Sequence, residues 1–135
     1  MFLNKLNDTQ KDLFLELVYA AAMANGEYSD AEKAVMQSYC VEMNKTFVEK
    51  KNHTNVYGLL MKIGAISNEE EKRIIVYELM ALIMSDFEYD EEEKEFMQRV
   101  SRALKVDNEY IDECSKLLKE YYEYQAKVKN FVLGK

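Results

Sequence analysis

Residues 7–37 align without a gap on residues 68–98 of the same chain. Ten positions are identical: Asn7/Asn68, Lys11/Lys72, Ala20/Ala81, Met23/Met84, Glu27/Glu88, Tyr28/Tyr89, Glu32/Glu93, Lys33/Lys94, Met36/Met97 and Gln37/Gln98. Leu13/Ile74, Val18/Leu79, Val35/Phe96 and Asp30/Glu91 keep their character. The matched stretch has an apolar-periodic segment on either side of an acidic turn, which implies a duplicated helix–turn–helix unit packed as two hairpins.

The rest of the sequence agrees with helices throughout. There is no proline and there are only four glycines, while Ala, Leu, Met, Glu, Lys and Gln, which lose little rotamer freedom in a helix, are abundant. With 135 residues, 48% of them apolar or aromatic, the chain has the length of one domain and the material for a core. The expected fold is all-α: a compact bundle of about six helices, one domain over 1–135, with repeat units at about 7–44 and 68–105 and a last helix at about 108–131.

Helix starts and stops are written in capping residues. Asn7 with Gln10 opens a helix over about 8–24 whose Leu13, Phe14, Leu17, Val18 and Ala21 recur at helical spacing. Asn25-Gly26 ends it, since both residues tolerate left-handed backbone. Ser29 and Glu32 form a Ser-x-x-Glu box for a second helix ending near Asn44, with Ala31, Val35, Tyr39 and Met43 as its inner stripe. The polar, basic stretch 45–55 reads as a connector. A short third helix follows from Thr54 or Asn55 and is stopped by Gly64. Ser67 to Glu70 reads as another box, and the apolar positions from Ile74 to Ile83 cover most of that helix's circumference, which places it centrally. Asp90 caps the fifth helix, with Phe96, Met97, Val100, Ala103 and Leu104 inward. Asp107 or Asn108 caps the sixth, long enough for its tyrosine-rich end to project and offer a homodimer contact.

Charge and cysteine content narrow the function. A net charge of −7 and an isoelectric point near 4.9 disfavour nucleic acid and anionic lipid, and favour cations and basic protein partners. No apolar run approaches the roughly 18 residues of a membrane span, and the first residues lack the apolar core of a secretion signal; a cytoplasmic protein without membrane insertion is expected. Cys40 and Cys114 lack metal-binding or disulfide spacing and read as reduced core residues. His53 is the single histidine, and no nucleophile motif accompanies it. It cannot satisfy the paired Glu-x-x-His of a di-iron bundle, and a non-enzymatic module is expected.

The chemistry sits in the acidic turns. Hard divalent cations take several oxygen ligands, and closely spaced carboxylates on a turn supply them. Asp86, Glu88 and Asp90 alternate along the second turn, with Glu93 one helical turn later; Asn25, Glu27, Ser29 and Glu32 hold the matching places in the first. The spacing is similar to positions 1, 3 and 5 of an EF-hand loop, but position 12 is Met97 in one case and Met36 in the other, so an EF-hand is excluded. Capping and the helix dipole account for Asp90 and Glu93 without a ligand. They account less well for Asp86, Glu27 and Glu88, and both readings stay open.

Ala24-Asn25-Gly26-Glu27-Tyr28-Ser29-Asp30-Ala31-Glu32, and again Ser85-Asp86-Phe87-Glu88-Tyr89-Asp90-Glu91-Glu92-Glu93, resembles the Ala-Asp-Gly-Glu-x-x-x-x-Glu signature of TerB-like proteins, the tellurite-resistance and DjlA-type helical domain. The likeness covers about residues 6 to 105. It implies an all-helical cytoplasmic domain associated with stress response, whose acidic residues chelate a metal ion. By position the signature acid falls on Asn25 and Asp86, the turn glutamate on Glu27 and Glu88, and the helix glutamate on Glu32 and Glu93. Asn25 stands where the signature has an acid, and Phe87 where it has glycine. The expected ligand set for Ca²⁺, Mg²⁺ or Mn²⁺ is Asn25, Glu27, Glu32, Asp86, Glu88, Asp90 and Glu93.

Overall fold

A computed structural model describes residues 1–23, 28–47, 55–86 and 89–134. Every regular element among them is helical. Six α-helices follow in order: α1 (Asp8–Ala22), α2 (Asp30–Met43), α3 (Val56–Ala65), α4 (Glu69–Ile83), α5 (Glu91–Leu104) and α6 (Asn108–Leu133), with 3-10 turns at Leu3–Lys5 and Met84–Asp86. None is long and apolar enough to cross a membrane.

The central position expected for α4 holds. It touches α1, α2, α5, α6 and both 3-10 turns, and Ile75, Val76, Leu79, Met80, Leu82 and Ile83 are all fully enclosed. A helix that is apolar nearly all round gains most by being surrounded, because each buried Leu or Ile contributes roughly 1.5–3 kcal/mol of transfer free energy. Helix α3 bridges α1 and α5. Gly64 does not stop it: the helix runs on to Ala65, and a Cβ at Gly64 would stand 3.2 Å from Leu104 Cδ2, so the glycine permits close approach to the end of α5.

The capping residues place the helices. Asn7 and Gln10 exchange hydrogen bonds across the start of α1, at 2.8 and 2.9 Å. At α4 the box is one residue later than the sequence suggests: Asn68 pairs with Glu71, while Ser67 Oγ accepts from the buried Gln10 side chain at 3.0 Å. The corrected box is the one that matches Asn7 and Gln10 in the internal alignment. Helices α2 and α5 end on left-handed residues, Asn44 at φ 54° and Lys105 at φ 57°, which satisfies their last carbonyls.

Two inner faces differ from the expected stripes. On α2 the buried residues are Glu32, Met36, Tyr39 and Met43, with Val35 only packed against the edge of the core. On α6, where the sequence pattern predicts an inner stripe of Ile111, Cys114, Leu117, Leu118, Tyr121, Val128 and Phe131, only Ile111, Cys114 and Leu118 are buried; Leu117, Tyr121, Val128 and Phe131 are exposed. The chain start also joins the core, with Leu3 and Leu6 enclosed and the Leu3 N–H donating to Glu42 Oε2 at 2.8 Å.

Candidate functional site

The site grows from two helix N-termini at matched positions of the internal alignment. Ser29 Oγ accepts from the Glu32 N–H at 3.1 Å, and Glu32 Oε1 accepts from the Ser29 N–H at 3.0 Å. Asp90 Oδ1 accepts from the Glu93 N–H at 2.9 Å, and Glu93 Oε1 accepts from the Asp90 N–H at 3.1 Å. Both are full capping boxes, and each leaves its glutamate one further carboxylate oxygen.

A capping-box glutamate ordinarily lies in water. These two do not: Glu32 is 1% exposed and Glu93 2%. Helix α2 packs against α4 and the Met84–Asp86 turn, and Glu32 at its start feels the charges of Asp86 and Asp90. Glu32 Oε2 is buried without a hydrogen-bond partner, the one such side-chain oxygen among the described residues. Leaving a buried carboxylate oxygen unpaired costs on the order of several kcal/mol when charged, so such a group takes up a proton or a cation.

The electrostatics fit that demand. Burial pushes the Glu93 carboxyl up to about 7; the Asp90 N–H works against the shift, and the charges of Asp90, Asp86 and Glu32 add to it. Burial also raises Glu32, opposed by the two Ser29 hydrogen bonds and assisted by Asp86 and Asp90. Four of the seven expected ligands therefore share one electrostatic neighbourhood. Asp86 ends the 3-10 turn after α4 and, like Asp90, is half-buried. Asn25, Glu27 and Glu88 lie outside the described residues. Among the described residues no three His, Cys, Asp or Glu groups come close enough together to hold a metal ion.

Other identities of the internal alignment have structural explanations. The Lys33 ammonium lies 5.5 Å from the centroid of the Tyr28 ring, and the Lys94 ammonium 5.6 Å from that of Tyr89, matched cation–π pairs beside the two boxes. Met36 and Met97 are both core; Met23 and Met84 both cap the preceding helix through their backbone N–H groups.

Sequence reasoning passed over Glu78. It is 2% exposed, accepts from the Phe2 N–H at 3.3 Å, and its main-chain carbonyl accepts from the Tyr39 hydroxyl at 2.5 Å. Its alignment partner is Leu17, and that replacement of an apolar residue by an acid is the signal that marks it. Both cysteines are free, and burial raises their thiols above the ordinary value, which keeps them protonated and unreactive.

Comparison of the chain with protein-family models, curated proteins and solved structures gave no match.

Proposed function

We propose that this chain is a non-enzymatic, TerB-like helical domain on a duplicated hairpin that binds a divalent cation, Ca²⁺, Mg²⁺ or Mn²⁺, and serves as a regulatory or scaffolding module. The observation that carries the reading is Glu32 Oε2, a buried carboxylate oxygen without a partner, in the field of Asp86 and Asp90. An all-oxygen donor set suits a hard cation, whose charge would offset the mutual repulsion of these carboxylates. Glu32, Glu93, Asp86 and Asp90 are the proposed core of the site, which a cation would have to draw closer together than they stand; Asn25, Glu27 and Glu88 complete the set on sequence grounds. A stress-related setting and a second copy docked through α6 belong to the same proposal.

A second reading has its own support. All four capping hydrogen bonds run between the boxes' own groups, so helix capping by itself accounts for Ser29, Glu32, Asp90 and Glu93, as expected of an interaction domain whose acids dock a basic partner.

Thermal melting separates the two. After chelation, each metal is added in turn to wild type, to Glu32→Gln, to Glu93→Gln and to the pair Asp86→Asn, Glu88→Gln. A cation at 100 times its dissociation constant adds about 2.7 kcal/mol, roughly 10 °C for a chain of this length. The expected result is a rise in wild type that the variants lose. Superimposable wild-type curves with every metal would sink cation binding and leave the interaction domain.

A further inference from the structure

The far half of α6 carries a stripe that nothing among the described residues covers. Leu117, Tyr121, Tyr124, Val128 and Phe131 are all exposed, Phe131 to 88%. Their spacing alternates four and three, the 3.5-residue period of a two-stranded coiled coil, and Tyr110 continues the same face toward the body of the protein. The core face of the helix, through Ile111, Cys114 and Leu118, lies to one side of this seam. Beyond Tyr122, whose hydroxyl donates to the Ala81 carbonyl at 2.6 Å, only Ala126 is even half-covered.

Two further observations say what covers the stripe. Glu120 and Lys127 flank it on the side away from the body, seven residues apart and opposite in sign. In an antiparallel pair of identical helices, flanking residues of this kind face each other, so Glu120 of each copy meets Lys127 of the other, twice, by symmetry. A parallel pair would set them against Gln125 and Val132, without charge. At the body end the stripe opens into a groove of about 470 Å³ whose walls include Phe2, Tyr77, Tyr110 and Leu117. An antiparallel register that sets Tyr121 against Tyr124 also places Phe131 level with Cys114, between Tyr110 and Leu117 at the mouth of this groove.

We propose that α6 is an exchange arm: two copies of this chain pair through antiparallel α6 helices about a two-fold axis between residues 122 and 123, each anchoring Phe131 in the Phe2–Tyr77–Tyr110–Leu117 groove of the other. This deepens the α6 self-association included under the proposed function, and fixes its register and anchor. The five stripe side chains offer on the order of 600 Å² per copy, about 1,200 Å² in all, the lower edge of specific interfaces. Aromatic anchors such as Phe131 and Tyr124 carry most of the affinity in interfaces of this kind.

Sedimentation equilibrium of the full chain over a concentration series tests the arrangement. Wild type is expected to dimerise. Glu120→Lys and Lys127→Glu each set like charges together and weaken the dimer about tenfold, the double reversal restores it, and Phe131→Ser weakens it more than tenfold. Because all three side chains are exposed in one copy, the thermal midpoint of each dilute, monomeric variant should match wild type, which separates lost pairing from lost folding. A wild type that stays monomeric at every concentration overturns both the self-association and the register. A dimer in which the double reversal behaves no better than the single ones, or in which Phe131→Ser has no effect, overturns the exchange arm while leaving self-association standing.

Discussion

The α1–α2 and α4–α5 halves begin from matching sequence and end in different electrostatic states. Both start α-helices with a reciprocal box, and both bury the box glutamate. The first half caps with Ser29, a neutral hydroxyl, and Glu32 rises under burial that two Ser29 hydrogen bonds oppose. The second half caps with Asp90, whose carboxylate repels Glu93 while its N–H supports it, and Glu93 reaches about 7. Burial is the largest cause in both halves; the second adds the repulsion of the Asp90 charge, where in the first a Ser29 side-chain hydrogen bond holds Glu32 back. A second contrast runs through the helices before the turns, where Leu17 is fully enclosed and its counterpart Glu78 is an enclosed carboxylate held by the Phe2 N–H and the N-terminal ammonium.

Making the first half imitate the second at Leu17 should have the largest effect. Leu17→Glu places a charge in a fully buried site with no donor prepared for it, and we expect a loss of about 4 kcal/mol or outright unfolding in urea denaturation. Glu78→Leu, the reverse exchange, should cost less, because it removes a buried charge and leaves behind only the Phe2 N–H and the exposed amino terminus that bonded it.

Next comes pH. Glu93 holds its proton more tightly folded, at about 7 against 4.5 unfolded, so the folded chain binds more protons between those values. Stability in metal-free buffer is therefore greatest below about pH 4.5 as far as this group is concerned, and falls as pH rises through 7, by on the order of 2 kcal/mol. Glu93→Gln should flatten most of that slope in denaturation at pH 5 and pH 8, and Glu32→Gln a smaller part of it. A wild-type stability that rises over this interval would show that Glu93 is not the dominant group. A cation in the cluster must displace the same proton, so its stabilisation should be larger at pH 8 than at pH 6.

Asp90→Ser sharpens the comparison more gently. Serine caps as well as aspartate, so the helix start survives, while Glu93 loses an adjacent negative charge and its carboxyl should titrate lower by NMR. An unmoved titration would assign the shift to burial alone. The smallest expected effect is in the matched cation–π pairs: Lys33→Met and Lys94→Met should each lose about 0.5 kcal/mol of ring contact at the two similar distances, with Lys94→Met also losing the exposed Glu91 ion pair.

The caps at Asn7, Ser29 and Asp90 were legible because the signal is local: a short polar side chain and, three positions later, an acid or amide. At α4 locality misled, since Ser67 and Asn68 both have capping side chains; Gln10, 57 positions away, engages Ser67 Oγ and Asn68 takes the cap. The inward path of Glu32 and Glu93 was not legible, because in a helical pattern a glutamate counts as a solvent-facing residue. Their burial is a product of packing, in which α2 meets α4 and the Met84–Asp86 turn, and α5 meets α4. The α6 stripe was legible as periodicity, but not as a face distinct from the core. Leu117 and Leu118 are adjacent and equally apolar, and the position of α4 leaves the first half exposed and the second buried.

By itself, the sequence determined the helical class, the six helices and most of their ends, the central place of α4 and the correspondence between two segments. Helix formation, capping and amphipathic period act over a few residues and leave their marks in order along the chain. Tertiary structure decided which charges lost their water. Burial depends on neighbours brought from distant positions, and two glutamates alike in local sequence become a poised pair only when the start of α2 is packed against the turn that ends α4.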